Sequence, residues 1–428
     1  MNSSTARTPP PPILGARAAT LYSYDARTRR YEATAPGYRN LPPAGTVWAT
    51  GMDMSRFLLA HLQGGTAASG RILKEETTRF MHARQFSQRR ELPGFAFGFY
   101  ERFHGDTRVL EHAGGYVGAS ALIALLPERN LGIFAAVNQN TPTPHYAALQ
   151  AVLDYYSPET AGRESGGSVP SGERRERFRR FEGNYQNTRY SRRSVEKIAI
   201  LDSQIHVAAG HDGLIILRTR TGQETKWAES GPLLFRRQGS DDLLSFREEA
   251  NGGITHMFMS LPGSALPSAF ERLVWYDTLP VQLGFIFTAS ALLASSFTVW
   301  PSVRMVVCVW RRLRGKRKPA GPASRSPALA AAVTGLLVVV FFAGLDQMLG
   351  NSQYRLQMAY GMTPEMVALL WIPLLVGVLA CFLAWFSFIS WRRRQWSLPM
   401  RVYYSLLALA AALVVPFCWN WNLIGFQY

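Results

Sequence analysis

Four long apolar stretches without a charged residue constrain the fold of this chain more than any other feature of its sequence. They are Leu279–Trp300, Ala328–Leu345, Met366–Trp391 and Val402–Ile424. A helix needs about 20 such residues to cross the hydrocarbon core of a bilayer, and all four stretches are close to that length or longer. The sequence therefore predicts four transmembrane helices over residues 279–424, with the lipid bilayer as a partner.

Basic residues are concentrated in the loops between these helices. The formal net charge is +17. The loop after the first stretch contains no acid and these basic residues: Arg304, Arg311, Arg312, Arg314, Lys316, Arg317, Lys318 and Arg325. The loop after the third stretch contains no acid and Arg392, Arg393, Arg394 and Arg401. The charge thus belongs to the membrane loops, and we expect no nucleic-acid partner.

This distribution also predicts an orientation. Because cytoplasmic loops carry an excess of lysine and arginine, both basic loops are expected in the cytoplasm. The soluble region and the C-terminus would then lie outside an inner or plasma membrane, as parts of a multi-pass protein. A basic amphipathic helix on the membrane surface is the alternative interpretation of Val309–Lys318.

The beginning of the sequence does not explain how a soluble region would be exported. Residues 1–16 are rich in proline and lack the apolar core of a signal peptide. Either the chain is a fragment that lacks its true beginning, which we favour, or the first membrane helix carries the region across. We expect residues 1–16 to form a disordered lead.

Residues 17–157 show a mixture of helix and sheet patterns. Thr50 is expected to cap a helix, with Asp53 as its capping-box partner, and a second helix is expected around Lys74–His82. Further elements follow: strands at Phe95–Phe99, Val109–His112, Ala119–Leu126 and Leu131–Val137, a turn at Gly114-Gly115, and a helix at Pro144–Tyr156.

The remaining soluble residues suggest a linker followed by a small β domain. Residues 158–177 include the run Gly162–Gly172, rich in glycine and serine, which is typical of a linker. Residues 178–275 contain short apolar runs separated by closely spaced turns, which predict a small antiparallel barrel or sandwich.

Two blocks within residues 17–157 resemble a known family. The run Glu111–Asn138, beginning Glu-His-Ala-Gly-Gly-Tyr-Val-Gly-Ala, resembles the third-motif region of the class C β-lactamase-related and penicillin-binding serine hydrolases. The block Pro43–Phe57 resembles the start of the helix that precedes this motif. The resemblance implies an α+β fold, as the C-terminal part of a β-lactamase or transpeptidase-like fold. A small antiparallel all-β unit and four transmembrane α-helices would follow it.

The family uses three motifs, of which one maps clearly onto this sequence. Ser-x-x-Lys supplies the nucleophile and its base, Tyr-x-Asn or Ser-x-Asn supplies a proton relay, and Lys-Thr-Gly or His-x-Gly borders the site. His112-Ala113-Gly114 matches the last of these. The resemblance therefore implies a catalytic His112, which donates a proton or hydrogen bond, and substrate binding along Ala113 and Gly114.

Two other segments match a motif of the family, and we interpret both as chance matches. Ser194-Val-Glu-Lys197 fits Ser-x-x-Lys, but it follows His112 in the sequence and is expected to enter a strand within residues 178–275. Tyr38-Arg-Asn40 fits Tyr-x-Asn, but it adjoins a proline-rich loop. We expect neither to be catalytic, so the nucleophile half of a site is missing from this sequence.

No cofactor or metal is expected. The soluble region contains no cysteine, and His206 and His211 are predicted to be exposed strand histidines rather than metal ligands.

Two functions remain open at this point. The first is a membrane-anchored serine hydrolase that acts on a peptide, β-lactam or ester substrate and is inactive in this form because it has no nucleophile. The second is a non-catalytic, membrane-anchored binding or sensing protein built on the partial fold.

Overall fold

The computed structural model describes residues 1–7, 9–25, 28–35, 44–116, 118–139, 143–156, 176–210, 215–219, 222, 224–260, 266–313, 326–351, 354 and 361–425. The chain divides into two compact units. The first comprises Met1–Arg189 and Gln204–Leu273, and the second comprises Tyr190–Ser203 and Val274–Tyr428. The linker run Gly162–Gly172 lies outside the described residues.

The N-terminal part of the first unit mixes helices with antiparallel sheets, as expected from the sequence. Its helices are α1 (Pro12–Gly15), α2 (Gly51–Leu62), α3 (Glu75–His82) and α4 (Thr143–Tyr156). Its strands are β1 (Leu21–Asp25), β2 (Arg30–Thr34), β3 (Thr66–Ala67), β4 (Gly70–Arg71), β5 (Tyr100–His104), β6 (Thr107–Tyr116), β7 (Ala119–Leu126) and β8 (Leu131–Val137). Strands β5 to β8 form one antiparallel sheet in sequence order.

This sheet buries apolar side chains on both of its faces. On one face Leu110 and Leu125 pack with Leu58 of α2. On the other face Val109 and Leu122, with their neighbours on β7, pack with Leu149 and Leu153 of α4. Because successive strand residues point to opposite faces, the sheet holds one helix against each side and fixes the position of β6.

The turn between β6 and β7 lies later in the sequence than expected. Gly114 and Gly115 are paired with Ala121 and Ser120 inside the ladder, so the prediction of a turn at Gly114-Gly115 was wrong. The chain reverses instead beside Gly118, which has a φ of +71°. Glycine adopts this conformation without the steric cost that a Cβ brings, and that requirement decided where the turn forms.

The start of α2 confirms one prediction and corrects another. The Thr50 side chain accepts a hydrogen bond from the Asp53 backbone N–H, as an N-cap does. The Asp53 carboxylate, however, accepts hydrogen bonds from the Ser3 backbone N–H at 2.9 Å and the Ser4 hydroxyl at 2.8 Å. Thr5 pairs with Trp48 in a β-bridge. The lead expected to be disordered therefore contacts the helix start.

The segment Phe95–Phe99 is not the strand that its alternating pattern suggested. Only Phe95 makes bridge pairs, with Phe86 and Tyr100, and β5 begins at Tyr100. Phe97 is exposed and Phe99 is buried, because Phe99 belongs to the core cluster under the sheet.

The rest of the first unit is a closed antiparallel barrel, in agreement with the turn spacing in the sequence. Its strands are β9 (Gly183–Asn187), β10 (Ile205–Ala209), β11 (Ile215–Thr219), β12 (Glu224–Gly231), β13 (Leu234–Arg237), β14 (Leu243–Glu248), β15 (Ile254–Ser260) and β16 (Pro267–Arg272), and β16 pairs with β9. Phe181, Phe235 and Phe246 meet edge to face or tilted in its core, an arrangement that aromatic quadrupoles favour.

The second unit contains the apolar helices. They are α5 (Leu279–Ala294), α6 (Ser296–Leu313), α7 (Ser326–Gly350), α8 (Pro364–Arg392) and α9 (Leu398–Asn420). By length and composition four candidate spans are present: 279–310, which joins α5 and α6, then α7, α8 and α9. The expected membrane helices are thus confirmed as long apolar helices. The loop residues 314–325, including the second half of the alternative surface helix Val309–Lys318, lie outside the described residues.

A short segment of the chain before the membrane helices packs at one end of them. The 3₁₀ segment Val195–Ser203 buries Val195 and Ile198 in the same apolar cluster as the helices. The Asn422 side-chain amide donates to the backbone carbonyls of Arg192 and Ser194, both at 3.0 Å. The end of α9 therefore holds residues 190–203 by hydrogen bonds as well as by apolar contact.

The substitution Gly118→Ala tests the corrected turn. A Cβ at Gly118 would lie 2.6 Å from Leu21 Cβ and 2.7 Å from Thr34 Cγ2. Overpacking and the positive φ together are expected to destabilise the protein by about 2–4 kcal/mol. Gly105→Ala is the matched control, because Gly105 also has a positive φ but no atom lies within 4 Å of its Cβ position. Thermal unfolding should show the larger loss for Gly118→Ala, and equal losses would contradict this packing.

Candidate functional site

The imidazole of His112 lies exposed on β6 and is held from two sides. Its Nδ1 is 2.7 Å from the Gly98 carbonyl oxygen. Its ring stacks on that of Tyr100, with centroids 5.0 Å apart and an interplanar angle of 24°. A carbonyl oxygen can only accept, so Nδ1 carries the proton and Nε2 is left for another partner. The histidine is therefore oriented rather than free to rotate.

The strand edge next to His112 has a partner on one side only, within the part of the chain that the structure describes. Strand β5 pairs with β6 as far as Glu111, opposite Tyr100. Beyond that point Ala113–Gly115 pair with β7 alone. Gly114 is exposed, and a Cβ built on it would meet nothing within 4 Å. An extended chain could add to such an edge through backbone hydrogen bonds.

A buried carboxylate fixes β6 just before His112. Glu111 is completely buried. Its Oε2 lies 2.9 Å from Arg102 Nε and its Oε1 accepts from the Tyr146 hydroxyl at 2.9 Å. The Arg102 guanidinium also lies 5.1 Å from the centre of the Tyr146 ring. Buried charges persist when they are paired and hydrogen-bonded in this way, so these groups hold β5, β6 and α4 together behind the site.

Apolar rings continue the surface away from His112. Tyr100 meets Phe95 edge to face at 5.8 Å, and Phe95 lies 6.4 Å from Phe86. Phe86 is 56% exposed. The ring of His112 thus stands at one end of a partly exposed aromatic row that reaches the loop before β5.

Sequence reasoning missed the residues that orient His112. Neither Gly98 nor Tyr100 matches a motif of its own, and both meet His112 only because β5 pairs with β6. Glu111 did carry a usable signal. A carboxylate next to His112 in a strand points to the opposite face, here the core, where it requires a cationic or hydroxyl partner.

The other candidates from the sequence have partners of their own or lie outside the described residues. Ser194 precedes a 3₁₀ segment rather than entering a strand, and its hydroxyl lies 2.7 Å from that of Ser191. The Lys197 ammonium donates to the Asn420 carbonyl and lies over the Trp421 ring. Ser194 and Lys197 are thus each engaged elsewhere, and Tyr38-Arg-Asn40 lies outside the described residues.

Of the two histidines considered as metal ligands in the sequence, His206 lies among the described residues. His206 is exposed, and its Nδ1 lies 3.1 Å from Asn184 Oδ1. His211 lies outside the described residues. Among the residues that the structure describes, no group of three histidine, cysteine or acidic side chains could hold a metal ion.

A cleft of about 340 Å³ lies elsewhere in the first unit, between β5 and the barrel hairpin β13–β14. Two ion pairs lie within its lining. Arg84 contacts Glu101, and Arg236 lies 2.7 Å from Asp241. Asp241 also accepts from the Gly105 backbone N–H. The bond between Asp241 and Gly105 joins the barrel to the sheet.

A buried histidine, His61, and a partly buried one, His82, pack under the loop that holds His112. His61 Nδ1 lies 3.2 Å from His82 Nε2, and both rings meet Phe99 edge to face. Phe99 follows Gly98, whose carbonyl fixes His112. Burial, His61 and Arg108 lower the pKa of His82 to about 4, and burial lowers the pKa of His61. Both rings are therefore neutral at pH 7.

Acid is expected to destabilise the first unit through this pair. Because the folded pKa of His82 is below its unfolded value, its contribution is complete above about pH 6.5 and is lost as pH falls towards 4. The loss should be on the order of 2 kcal/mol between pH 7.5 and 5. In thermal unfolding at the two pH values, His82→Gln should show a smaller difference than the wild type. The exposed His206→Gln control should keep the wild-type difference, and a wild-type slope in His82→Gln would contradict the assignment.

The comparisons with known proteins agree with the sheet and helices of the N-terminal part. A family model described as Beta-lactamase matches residues 3–156. Among curated proteins none matches the chain. The matched segment contains α2, the whole β5–β8 sheet, His112 and nearly all of the residues that position it.

Two matches to solved structures have low structural similarity and low sequence identity. SurE has a TM-score of 0.38 and 18% identity, with 60% of this chain and 56% of SurE covered. An octameric penicillin-binding protein homologue from Pyrococcus abyssi has a TM-score of 0.33 and 14% identity, with 63% and 57% covered. The chain thus spans little more than half the length of these proteins. By the family match, residues 3–156 form a Beta-lactamase-family domain, and four candidate membrane helices follow it in the sequence.

Proposed function

We propose that this chain is part of a membrane-anchored serine hydrolase related to the β-lactamases. Its reaction would be acyl transfer to, or hydrolysis of, a peptide, β-lactam or ester. In this proposal residues 17–157 provide one wall of the active site and residues 178–275 contribute the barrel. Residues 279–424 hold the protein in an inner or plasma membrane. The Beta-lactamase-family match over residues 3–156 supports the lineage.

The observation that carries the proposal is the geometry of His112. With Nδ1 bonded to the Gly98 carbonyl, the neutral ring presents Nε2 as an acceptor, and the imidazolium presents it as a donor. His112 can therefore hold, receive or return one proton at a fixed position. A general acid or base must sit within hydrogen-bond reach of the proton it transfers, and a fixed ring satisfies that requirement better than a mobile one.

The edge Ala113–Gly115 is the proposed substrate-binding strand. An extended peptide or a β-lactam amide would add to β6 where β5 no longer pairs, beside the exposed Gly114. The reacting carbonyl would then lie near His112. Backbone pairing gives affinity without selecting a side chain, so the aromatic row from Tyr100 to Phe86 would be free to select apolar groups.

A serine nucleophile is the part that these residues do not provide. Covalent catalysis requires a hydroxyl activated by a neighbouring base. Ser-x-x-Lys occurs in this sequence only at Ser194, where Lys197 is engaged by Asn420 and Trp421. We propose that residues 1–428 alone do not turn over substrate and that the nucleophile comes from outside them.

A non-catalytic binding or sensing role is the second candidate. The engagement of Lys197 favours it, because no other serine–lysine pair of the required spacing exists in the sequence. The exposed strand edge and aromatic row would then bind a ligand without reacting with it.

Substitution of His112 tests the first proposal. In the protein as the natural gene encodes it, His112→Ala should lower turnover of nitrocefin or p-nitrophenyl esters by roughly 10²–10⁴, the range for loss of an acid–base group. The thermal stability should change little, because His112 is exposed. Tyr100→Leu should also lower turnover, but by less, because it removes only the ring that orients His112.

Two controls separate the candidates. His206→Ala replaces an exposed barrel histidine and should leave turnover unchanged. Residues 1–428 alone should show neither turnover nor labelling by fluorescent penicillin, and labelling that Ser194→Ala abolishes would show that Ser194 is the nucleophile. Normal turnover in His112→Ala would exclude the proposed role, and an inert natural protein that still binds the ligand would favour the non-catalytic candidate.

We also propose that the soluble region and the C-terminus lie on the extracytoplasmic side of the membrane. The basic loops support cytoplasmic positions for 301–326 and 391–401. Within the second unit, Trp421 Nε1 donates to Gln282 Oε1 at 3.0 Å, so the end of α9 and the start of α5 lie at the same level. Residues 190–203 contact that same end.

Reporter fusions test this orientation. A reporter fused within Arg311–Lys318 should report a cytoplasmic position, and one fused after Gln427 should report an outside position, because four spans return the chain to its starting side. Alkaline phosphatase and green fluorescent protein activities measure the two positions. The reverse pattern in the natural gene would exclude the proposed topology.

A further inference from the structure

A groove of about 500 Å³ runs between α8 and α9 on the surface of the second unit. Small side chains and larger apolar ones line it together. Its lining includes Ala384, Phe388, Trp391, Ala408, Leu409 and Ala412. Small residues on facing helices leave room that a larger side chain would fill. Phe388 and Leu409 are 55% and 54% exposed, so the groove opens towards the surroundings of the helices rather than into the helix packing.

The hydroxyls near the groove are already used. Ser387 and Ser405 hydroxyls lie 2.8 Å apart, and the Trp391 indole N–H donates to Ser405 Oγ at 2.9 Å. Ser405 Oγ in turn donates to the Arg401 carbonyl. These bonds lock Trp391 at one end of the groove, and what remains exposed along its length is apolar.

Arg401 stands at that same end with an unused donor. Its guanidinium carbon lies 4.9 Å from the centre of the Trp391 ring. Its Nε is buried and has no hydrogen-bond partner among the described residues. A buried donor on a charged group is costly to leave unpaired, and the side chain of Arg401 is partly exposed, so the rest of the guanidinium is open to an acceptor from outside the chain.

The charge around Arg401 selects an anion. Arg392, Arg393 and Arg394 follow Trp391 directly, and no acidic residue occurs after Glu365 in the sequence. No carboxylate of α8 beyond its first turn, or of α9, is therefore available to neutralise these four arginines. Arginine binds phosphate oxygens through several donors at once.

We propose that the groove binds one acyl chain of an anionic phospholipid, whose phosphate accepts hydrogen bonds from Arg401. The chain lies along Ala384, Ala408 and Ala412, and the headgroup lies among the arginines beyond Trp391. Basic pockets between membrane helices bind anionic headgroups in this way, and tryptophan marks the level of the headgroups. The proposal requires the helices to lie in a bilayer, but it does not depend on the hydrolase function.

Lipid binding to the purified full chain in detergent tests this proposal. Native mass spectrometry with palmitoyl-oleoyl phosphatidylglycerol should show one tightly bound lipid per chain, and phosphatidylcholine should bind at least about tenfold more weakly. Arg401→Gln should weaken phosphatidylglycerol binding about tenfold, as expected for loss of a charge-assisted hydrogen bond. Inorganic phosphate should not compete at millimolar concentration, because it lacks the chain that fills the groove.

Two paired variants distinguish the groove from general attraction. Ala412→Phe fills the groove and should abolish tight binding, whereas Leu413→Phe enlarges the neighbouring exposed position on α9 and should not. Arg193→Gln removes an exposed charge from the segment at the other end of α9 and should leave binding unchanged. Equal binding of the two lipids, or wild-type binding by Arg401→Gln or Ala412→Phe, would overturn the proposal.

Discussion

Two buried carboxylates, each held by arginine, fix the pairing of β5 with β6, and the position of His112 depends on them. Glu101 is met by Arg84 and by Arg108, whose Nε donates to Glu101 Oε1 at 2.7 Å, and Glu111 is met by Arg102. A one-residue slip of this pairing would turn every side chain of β6 to the other face. It would also leave a buried charge without its ion-pair partner, which costs about 3–5 kcal/mol. The ladder is therefore held in one register up to Glu111, and the loop before β5 then brings the Gly98 carbonyl to His112.

The elements that could be predicted from the sequence are those whose patterns are local. Strands β7 and β8 are continuous apolar runs, and α2 begins at a threonine cap with its apolar face at helical spacing. The errors arose where distant residues decide the outcome. Gly114-Gly115 has the composition of a turn, but pairing with β7 keeps it in the ladder, and Gly118 takes the positive φ. Asp53 was assigned to its own helix, whereas its carboxylate holds the N-terminal residues Ser3 and Ser4.

The residues of the candidate site likewise divide into those that a local pattern predicts and those that only the tertiary structure brings together. The His-Ala-Gly spelling and the strand that follows identified His112 from the sequence, because a motif and a local pattern coincide there. The partners Gly98 and Tyr100 could not be found, since they reach His112 only through the β5–β6 ladder and the loop before it. Ser194 shows the reverse case, in which a motif is spelled without its structure. Lys197 is drawn to the end of α9 by the Asn420 carbonyl and the Trp421 ring, so the spacing in the sequence does not produce a serine–lysine pair.

Polar side chains on the apolar helices show why Arg401 differs from its neighbours. Thr334 and Ser390 each donate to a carbonyl three or four residues earlier in their own helix, and Ser296 donates to the Leu293 carbonyl at the end of α5, so no outside group is needed. Ser290 and Trp300 also contain a buried polar atom without a partner among the described residues, but both are neutral, and an unmet neutral donor costs less than an unmet charge. Arg401 is cationic, cannot lose its proton and faces no acid on its own or the adjoining helix. Water could meet such a charge above the bilayer surface, but Trp391 covers the guanidinium on the side of the apolar groove. An acceptor that is anionic at one end and apolar along its length matches both halves of that surface.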